Sequence, residues 1–309
     1  MKILVTGGAG FIGSNLVDRF IAEGHAVAII DNLATGRRSN INPEASFHEV
    51  SITDAEAVAS VFMQERPEVV SHHAAQMDVR RSVVEPQFDA NTNIIGTINV
   101  IEAGRAAGTR KFIFSSSGGA IYGDADTVPT PETAPIEPIS HYGTSKRAGE
   151  LYFELYGRLY GLGYTILRYA NVYGPRQNPK GEAGVNAIFA NMMLRGQNPT
   201  IFGKGDKTRD YVFVGDVVEA NVRALEAGDG EIVNIGTGVQ TTDQEVYDAV
   251  AAAVGYEEPP IYGDERAGDV RHSCVDPSKA RDVLGWEPTV EFREGVRRTV
   301  EYQRENEME

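Results

Sequence analysis

The sequence has 309 residues and a formal net charge of −15 at pH 7, with 41% hydrophobic and 24% charged residues. This length suggests one large domain or two closely joined ones, and the composition is that of a globular protein rather than a disordered chain. The single cysteine, Cys274, excludes an internal disulfide framework and a multi-cysteine metal site. The acidic balance argues against nucleic acid or an anionic membrane surface as the main partner.

The sequence carries no signal for membrane insertion or export. No apolar run approaches the ~20 residues needed to span a bilayer. The first residues, MKILVTGGAGFIG, contain too short an apolar run for a signal peptide, and we interpret them as the first strand of the fold. Together with the lone cysteine, this predicts a cytoplasmic protein.

Short β-branched runs alternate with helical stretches over the first half of the chain. The predicted strands are 2–6, 26–30, 69–71, 111–115 and 164–168, and the predicted helices begin near residues 10, 55, 86 and 142. Alternation at this spacing predicts a parallel sheet covered by helices on both faces, a Rossmann-type doubly wound α/β fold.

The pattern loosens after about Asn171. Residues 174–184 and 257–269 are predicted loops, rich in Gly, Pro and polar residues. Between these loops, 209–214 and 231–235 are predicted strands, and 242–254 is a predicted helix. We therefore expect a dinucleotide-binding domain over 1–172, joined again by segments near 212–240, and a smaller α/β domain over 173–309 that mainly binds substrate.

A glycine-rich turn follows the first predicted strand. Gly7, Gly10 and Gly13 form Gly-x-x-Gly-x-x-Gly at the start of a predicted helix, a pattern typical of a pyrophosphate-binding turn. Asp31 ends the second predicted strand about 20 residues on, where a carboxylate accepts hydrogen bonds from ribose hydroxyls. Because a carboxylate would repel a 2′-phosphate there, the sequence favours NAD over NADP. The arginines at 37–38 are interpreted as solvated loop charges.

Tyr142 and Lys146 form Tyr-x-x-x-Lys on a predicted helix. Residues four apart share a helix face, so the lysine charge is expected to lower the tyrosine pKa from about 10 toward neutrality. Such a tyrosinate can accept a proton from a sugar hydroxyl while hydride leaves the same carbon. A serine run at 115–117 lies where a buried strand ends, the edge at which open α/β sheets bind ligands. One of its hydroxyls is expected to bridge the substrate oxygen and Tyr142.

These motifs resemble those of the extended short-chain dehydrogenase/reductase family, in its nucleotide-sugar epimerase group. The matching stretches follow the family order over essentially the whole chain: TGGAGFIGSNL, DNLATG, HHAAQ, NTNIIGT, SSSGGAIYG, YGTSK, RYANVYGPRQ, GKGDKTRDYVFVGD, NIGTG and RAGDVRHSCVD. The resemblance implies an isomerase that interconverts UDP-glucose and UDP-galactose by transient oxidation at C4 with bound NAD. The alternatives are a UDP-glucuronate 4-epimerase, another NAD-dependent 4-ketosugar enzyme, or a non-catalytic nucleotide-sensing protein of the same fold.

The resemblance also implies which residues contact NAD. They are Gly7, Gly10, Phe11, Ile12 and Gly13 at the diphosphate, Asp31, Asn32, Thr35 and Gly36 at the adenosine ribose, Ser51 and Ile52 at the adenine, His73, Ala74, Ala75, Gln76, Asn93 and Ser115 beside the cofactor, and Tyr142, Lys146, Tyr169 and Val172 toward the nicotinamide. Ser51 stands where relatives usually carry an aspartate, and Asp54 is a candidate to compensate. His72 and His73 are adjacent, but no further Cys or His ligands accompany them, so we expect no metal.

A second set of residues is implied to bind the UDP-sugar. They are Ser117, Tyr142, Asn171, Val185, Thr200, Phe202, Arg209, Arg266 and Asp269, with Arg176 as a further candidate. Guanidinium groups form bidentate pairs with phosphate, which suits the arginines. Ser117, Tyr142 and Lys146 are the implied catalytic residues, with Ser116 as the alternative serine.

Residues 118–120 and Ser273 bear on the type of reaction and on the size of the sugar, and the family resemblance bears on the oligomeric state. Gly118-Gly119-Ala120 stands where 4,6-dehydratases carry an Asp-Glu pair, so simple epimerisation is favoured over elimination. Ser273 matches a position that is bulky in some relatives, and its small side chain leaves room for an N-acetyl group on the sugar. The family is usually dimeric, which implies a homodimer through helices near 91–107 and 142–160.

Overall fold

The computed structural model describes residues 1–179, 184–265 and 270–306. The strands are β1 (Lys2–Thr6), β2 (Ala26–Asp31), β3 (Ser46–Glu49), β4 (Val69–His72), β5 (Lys111–Ser117), β6 (Gly163–Tyr169), β7 (Asn171–Tyr173), β8 (Thr200–Phe202), β9 (Thr208–Arg209), β10 (Tyr211–Phe213), β11 (Glu231–Ile235), β12 (Thr241–Thr242), β13 (Ile261–Gly263) and β14 (His272–Ser273). The helices are α1 (Phe11–Ala22), α2 (Ala55–Glu65), α3 (Val79–Val84), α4 (Pro86–Ala90), α5 (Gly96–Ala107), α6 (Gly118–Ile121), α7 (His141–Tyr160), α8 (Val185–Leu194), α9 (Val214–Ala224), α10 (Asp243–Val254), α11 (Ser278–Leu284) and α12 (Phe292–Asn306).

The central sheet of the described chain has seven parallel strands in the order β11-β6-β5-β4-β1-β2-β3. The chain builds outward from β1 in one direction and then crosses back to add β4 on the other side. This doubly wound order creates a switch point between β1 and β4, and ligands of such sheets bind in the crevice beyond the carboxyl ends of the strands there. The predicted Rossmann-type fold is confirmed.

The five strands predicted in the first half form at the expected places, and four of them run on by one or two residues at their carboxyl ends. The edge strand β3 was not predicted, because its short sequence, SFHE, lacks a β-branched run. The strand predicted over 209–214 is correct for Arg209 and for Tyr211–Phe213 but does not form as one strand. The chain instead forms β9 and β10, broken at Asp210, and then begins α9 at Val214.

Asp210 causes that break because its carboxylate is buried and needs donors. It accepts hydrogen bonds from the main-chain N–H groups of Thr237 and Gly238, at 2.9 to 3.2 Å, in the turn after β11. β9 pairs with β12 and β14, whereas β10 pairs with β7. One buried carboxylate thus divides the segment between two small sheets.

Apolar side chains pack in three clusters. Alternate residues of β1 point to opposite faces of the central sheet: Ile3 and Val5 pack toward α1 and α9, and Leu4 packs toward α2 and α5. The third cluster joins α8, α10 and α12 around Tyr173. β11 joins the central sheet at its edge, beside β6. The domain division at residue 172 stays a prediction. None of the described helices is both long and apolar enough to cross a membrane.

Candidate active site

The glycine-rich turn between β1 and α1 leaves space that side chains would fill. Gly7 has a φ of +72°, and a Cβ there would lie 2.8 Å from the main-chain nitrogen of Ala74. A Cβ on Gly13 would lie 2.1 Å from the carbonyl oxygen of Gly7. No side chain of the described residues caps the start of α1 at Phe11, so its first N–H groups remain available to an anion. This cradle fits a dinucleotide pyrophosphate.

Asp31 ends β2 beside the glycine-rich turn and is held there by main-chain donors. Its carboxylate accepts hydrogen bonds from the N–H groups of Ala9, at 3.0 Å, and Leu33, at 2.8 Å. Burial raises the pKa of this carboxyl group. A Cβ on Gly36 would lie 2.9 Å from Asp31 Oδ1, so the loop that follows β2 closes tightly on the carboxylate. Asp31 and Gly36 are therefore together where the ribose was expected.

The two arginines after β2 are engaged with other protein groups. Arg38 is exposed and pairs with Glu49. Arg37 donates a 3.1 Å hydrogen bond to the side chain of Asn178, in the loop after β7. Arg37 thus connects the loops after β2 and β7 by a hydrogen bond, whereas the sequence predicted a solvated charge. These partners agree with NAD rather than a 2′-phosphorylated cofactor.

Where the adenine was expected, Ser51 and Asp54, the residue expected to compensate for it, both direct their side chains to other protein groups. Ser51 shares a 2.8 Å hydrogen bond with the hydroxyl of Thr53. Asp54 instead caps α2 by accepting a 3.0 Å hydrogen bond from the N–H of Ala57. Ile52 packs on α5, where a Cβ on Gly96 would come within 2.7 Å of its side chain. Ile52 is therefore buried against α5 beside Ser51.

The histidine at the end of β4 is buried in a chain of hydroxyl groups. His72 Nε2 lies 3.0 Å from Thr97 Oγ1, which itself donates to the carbonyl of Asn93. His72 Nδ1 lies 2.6 Å from Thr6 Oγ1. Because Thr97 uses its hydrogen on Asn93, His72 Nε2 carries the proton, and Nδ1 accepts from Thr6. Burial holds the pKa of His72 well below its usual range, so the ring is neutral.

His73 faces Tyr169, with parallel rings whose centroids are 6.1 Å apart. Burial and the charge of Lys146 lower the pKa of His73 to about 3. The Tyr169 hydroxyl accepts a 2.8 Å hydrogen bond from Asn221. Among the described residues, no group of three or more His, Cys, Asp or Glu side chains is arranged to hold a metal ion.

A π-helical turn over Asn91–Ile95, between α4 and α5, positions Asn93 inside the site. Its amide nitrogen donates to the Gln76 carbonyl at 2.9 Å and lies 3.0 Å from Ser145 Oγ, and its oxygen accepts from the Gln76 N–H at 2.8 Å. π-turns often occur at functional sites because they re-aim a side chain. Asn93 therefore joins the segment after β4 to α7, the helix that carries Tyr142.

The predicted pair of Tyr142 and Lys146 lies in the first turns of α7. Ser140 caps this helix by accepting a 3.1 Å hydrogen bond from the Gly143 N–H. A Cβ on Gly143 would lie 2.3 Å from the carbonyl oxygen of Ala120, so α7 begins in close contact with α6. The Lys146 ammonium is buried and lies 5.9 Å from the centroid of the Tyr142 ring.

The expected lowering of the Tyr142 pKa is wrong for the protein without its cofactor. Burial disfavours the phenolate and raises the pKa of Tyr142 to about 12. Burial also lowers the pKa of Lys146 to about 8, although Asp89 and Glu150 oppose this effect. The sequence shows that two groups share a helix face, but it does not show how strongly their burial penalises charge.

The three serines at the end of β5 each contact a different group. Ser115 Oγ donates to the carbonyl of His72 at 3.1 Å, and Ser116 Oγ donates to the buried carboxylate of Glu150 at 2.6 Å. The Ser117 side chain faces the Tyr142 phenol and acts to lower its pKa. Ser117 is therefore the serine that faces the tyrosine, and Ser116 points into the interior.

A pocket of about 230 Å³ opens beside the third apolar cluster, which contributes Phe189, Ile201 and Tyr211 to its lining. It brings together five residues expected to bind substrate and six others. The five are Asn171, Val185, Thr200, Phe202 and Arg209; the six are Gly184, Phe189, Ile201, Lys207, Tyr211 and Asp243. A Cβ on Gly119 would lie 3.5 Å from Asn171 Oδ1, so Asn171 connects this pocket to the residues that follow Ser117.

Arg209 faces this pocket because its neighbour is anchored. Asp210 holds the turn after β11, as described above, and its N–H donates a 2.9 Å hydrogen bond to the Ser273 carbonyl. In the described part of the chain, the Arg209 guanidinium donates to the carbonyls of Thr208 and Arg271 and forms no ion pair with a carboxylate. It remains able to pair with a phosphate.

Of the six lining residues that were not anticipated, three carry polar groups on their side chains: Lys207, Tyr211 and Asp243. The spacing of 207, 209 and 211 is the two-residue period of a strand, and it could have indicated Lys207 and Tyr211 once Arg209 was chosen. Asp243 has no such signal, because it reaches the pocket through the pairing of β12 with β9.

The other described residues that were expected to contact the substrate are not among those that line this pocket. Arg266 and Asp269 lie outside the described residues. Arg176 is not in the pocket, since its guanidinium pairs with Asp18 of α1 at 2.6 Å. Ser273 is half-buried on β14, in register with Arg209 of β9.

Residues 3–236 match the family model described as the NAD dependent epimerase/dehydratase family. A UDP-glucose 4-epimerase of Mycolicibacterium smegmatis is 48% identical over 308 residues, which cover 98% of each chain. A crystal structure of the UDP-glucose 4-epimerase of Thermotoga maritima with UDP-glucose is 53% identical, with a TM-score of 0.97 over 99% of both chains. That of Thermus thermophilus UDP-glucose 4-epimerase with NAD is 46% identical, with a TM-score of 0.94 over 99% of this chain and 100% of that one.

Proposed function

Because the chain belongs to the NAD-dependent epimerase/dehydratase family, we propose that it interconverts UDP-glucose and UDP-galactose by transient oxidation at C4 of the sugar. The observation that carries this proposal is the convergence of Ser117, Tyr142 and Lys146 at the end of β5. Asn171 links that point to a pocket that contains Arg209. A UDP-sugar needs both features, since its diphosphate must be held while its C4 reacts.

We propose that Tyr142 removes the proton of the 4-hydroxyl group, while Ser117 hydrogen-bonds the same oxygen. NAD, when bound in the glycine cradle, supplies the acceptor and then the donor of the C4 hydride. Lys146 holds positive charge beside the phenol and favours its ionised form. Tyr142 then returns the proton to the 4-oxygen.

The pocket is proposed to keep the nucleotide in place while the 4-keto sugar turns over. Arg209 pairs with the diphosphate, and Thr200 and Phe202 line the uracil slot. We propose the other cofactor and substrate contacts that the sequence predicts as well. Arg176 is the exception, because its guanidinium pairs with Asp18.

Simple epimerisation is favoured over elimination by the residues that follow Ser117. Elimination of water needs a general acid and base, and Gly118-Gly119-Ala120 supplies neither. A Cβ on Gly118 would lie 2.7 Å from the Val275 side chain, so this position has no room for a carboxylate without a shift.

The deciding experiment mixes the purified, NAD-loaded protein with UDP-galactose and measures UDP-glucose. We expect interconversion in both directions, and Tyr142→Phe should abolish most of it. A parallel assay with UDP-glucuronate tests the main alternative. If no UDP-hexose is converted, the proposed activity is wrong.

We further propose a homodimer that forms through α5 and α7. Exposed apolar side chains mark this face: Ile95, Leu151, Leu155, Leu159 and Tyr160 are each 38–60% exposed. Leu151, Leu155 and Leu159 are four residues apart and so share one face of α7, and an exposed apolar patch usually marks an interaction site. The family habit makes a second copy of the chain the expected occupant.

We also propose that the protein acts in the cytoplasm and binds neither nucleic acid nor a membrane surface. The net charge of −15 disfavours polyanionic partners. Cys274 is buried, and burial raises the pKa of its thiol to about 12, which suits a thiol that stays reduced.

A further inference from the structure

Glu150 carries a carboxylate that is entirely buried, four residues after Lys146 on α7. Glutamate is almost never fully buried unless its charge is paired. The proposed chemistry does not use this group directly, yet it lies one helical turn from the proposed catalytic lysine. Its surroundings therefore need an explanation.

The carboxylate is fully paired by groups from two strands and its own helix. Arg168 of β6 donates from Nε and Nη2, at 2.9 and 2.8 Å. Arg147 donates to the same carboxylate at 2.8 Å, and Ser116 of β5 donates at 2.6 Å. Arg168 is itself 1% exposed and also donates to the Tyr122 hydroxyl at 2.8 Å.

Stability alone explains such a network poorly. A buried ion pair loses in desolvation much of what it gains in attraction, and well-packed apolar residues often replace it without loss. What distinguishes this pair is its position. Ser116 lies between Ser115, whose carbonyl oxygen accepts a 2.8 Å hydrogen bond from Lys146, and Ser117, whose side chain faces Tyr142. Glu150 is thus the point on α7 to which the middle of the serine run is attached.

We propose that Glu150 is a positioning residue that holds the serine run of β5 against α7 and so fixes Ser117 and Lys146 relative to Tyr142. This inference rests on the proposed function. Glu150 does not touch the substrate; it acts through Ser116 on one side and through the helix on the other. A proton transfer between hydroxyl groups depends steeply on such geometry, since small misplacements reduce rates strongly.

The charge of Glu150 supports the same role. The groups that face Lys146 are Tyr142 and Glu150 on its own helix, Asp89 of α4, and the neutral His72 and His73 at the end of β4. Asp89 and Glu150 both raise the pKa of Lys146 against the effect of burial. Without Glu150, the Arg168 cation would keep no carboxylate partner among the described residues, whereas Arg147 would still pair with Glu154. The Lys146 pKa should then fall below about 8.

The test is Glu150→Gln, which keeps the size of the side chain and removes its charge. In the NAD-loaded protein with UDP-galactose, we expect kcat to fall roughly 10- to 100-fold. KM should stay nearly unchanged, because the nucleotide pocket is remote from Glu150. The high-pH limb of the kcat profile should move to lower pH. Ser116→Ala, which cuts only the link to β5, should lower kcat without moving that limb.

The matched control is Glu154→Gln. Glu154 lies one turn further along α7, accepts a 3.1 Å hydrogen bond from Arg147, and is 22% exposed. It should leave kcat and the pH profile as in the wild type. If folded Glu150→Gln protein loses thermal stability but keeps the wild-type kcat and pH profile, the network is only structural and the proposal is overturned.

A second readout does not depend on turnover. The sequence has seven lysines, so ¹³C NMR of Cε-labelled lysine, assigned with Lys146→Met, can follow the titration of Lys146. We expect its midpoint to be lower in Glu150→Gln than in the wild type, and an unchanged midpoint would contradict the proposal. A wild-type protein that converts no UDP-hexose would instead contradict the proposed function, and the titration would still decide the role of Glu150. If Glu150→Gln does not fold, Ser116→Ala decides the positioning role through kcat.

Discussion

The ammonium group of Lys146 donates a 2.8 Å hydrogen bond to the main-chain carbonyl oxygen of Ser115. This contact ties the helix that carries Tyr142 directly to the strand that ends in Ser117. The same contact leaves the ammonium 5.9 Å from the centroid of the Tyr142 ring, where its charge does not by itself offset the cost of burying a phenolate. Ionisation of Tyr142 therefore requires further positive charge, which we expect the bound cofactor to supply.

The first prediction concerns the ionisation of Tyr142. Because burial raises its pKa to about 12, the phenol of the NAD-free protein should stay protonated up to at least pH 10. Loading with NAD, whose nicotinamide ring is positively charged, should move ionisation to lower pH. The measurement is the ultraviolet phenolate absorbance, taken as the difference between the wild type and Tyr142→Phe. A phenolate in the NAD-free protein below pH 8 would contradict this reading.

The second prediction separates the two candidate serines. Ser117→Ala removes the hydroxyl that faces Tyr142, and kcat should fall about 10²-fold, as when a donor to developing charge is lost. Ser116→Ala acts only through Glu150 and should cost less. Steady-state kinetics with UDP-galactose measure both variants. A larger loss in Ser116→Ala would reverse the assignment.

The third prediction concerns the size of the sugar that fits. We propose that Ser273, half-buried and in register with Arg209, leaves room for an N-acetyl group at the sugar 2-position. Ser273→Tyr should therefore lower kcat/KM for UDP-N-acetylgalactosamine far more than for UDP-galactose. The ratio of the two values, measured in the same preparation, checks this. Wild-type activity of Ser273→Tyr on UDP-N-acetylgalactosamine would contradict this proposal.

The fourth prediction is about stability. Asp210 is 1% exposed and accepts hydrogen bonds from Thr237, Gly238 and Val275. Asp210→Asn turns an amide N–H₂ group toward some of these donors, and should lower the free energy of unfolding by about 1.5–3 kcal/mol. The exposed pair of Asp206 and Arg271 provides the control, because Asp206→Asn should cost less than about 1 kcal/mol. Denaturant titrations of both variants give the comparison, and equal costs would contradict the anchoring role of Asp210.

The fifth prediction tests the apolar face of α7. Leu155 and Leu159 are 38% and 60% exposed. A double change of these leucines to glutamate should convert a dimer to a monomer in analytical ultracentrifugation. Val239→Glu, at a site that is also 60% exposed but lies outside α5 and α7, should leave the assembly unchanged. If the wild-type protein sediments as a monomer, the proposed dimer is wrong.

The sequence by itself determined the features that depend on neighbours along the chain. The glycine-rich turn, Asp31 at the end of β2, and the four-residue spacing of Tyr142 and Lys146 are local patterns. Strand and helix periods are local as well, so the doubly wound sheet followed from them. The resemblance of ordered motifs added the residues of the nucleotide pocket, and five of them do line one cavity.

Only the tertiary structure decided what depends on burial and on contacts between distant segments. Ser116 and Ser117 are equivalent in sequence, and they differ because Glu150 and Arg168 meet only one of them in the interior. Arg176 follows the family pattern, yet it pairs with Asp18, 158 residues earlier. The pKa of Tyr142 shifted against expectation, and that of Lys146 is lowered as well, since the cost of burying a charge depends on how completely other elements exclude water from it.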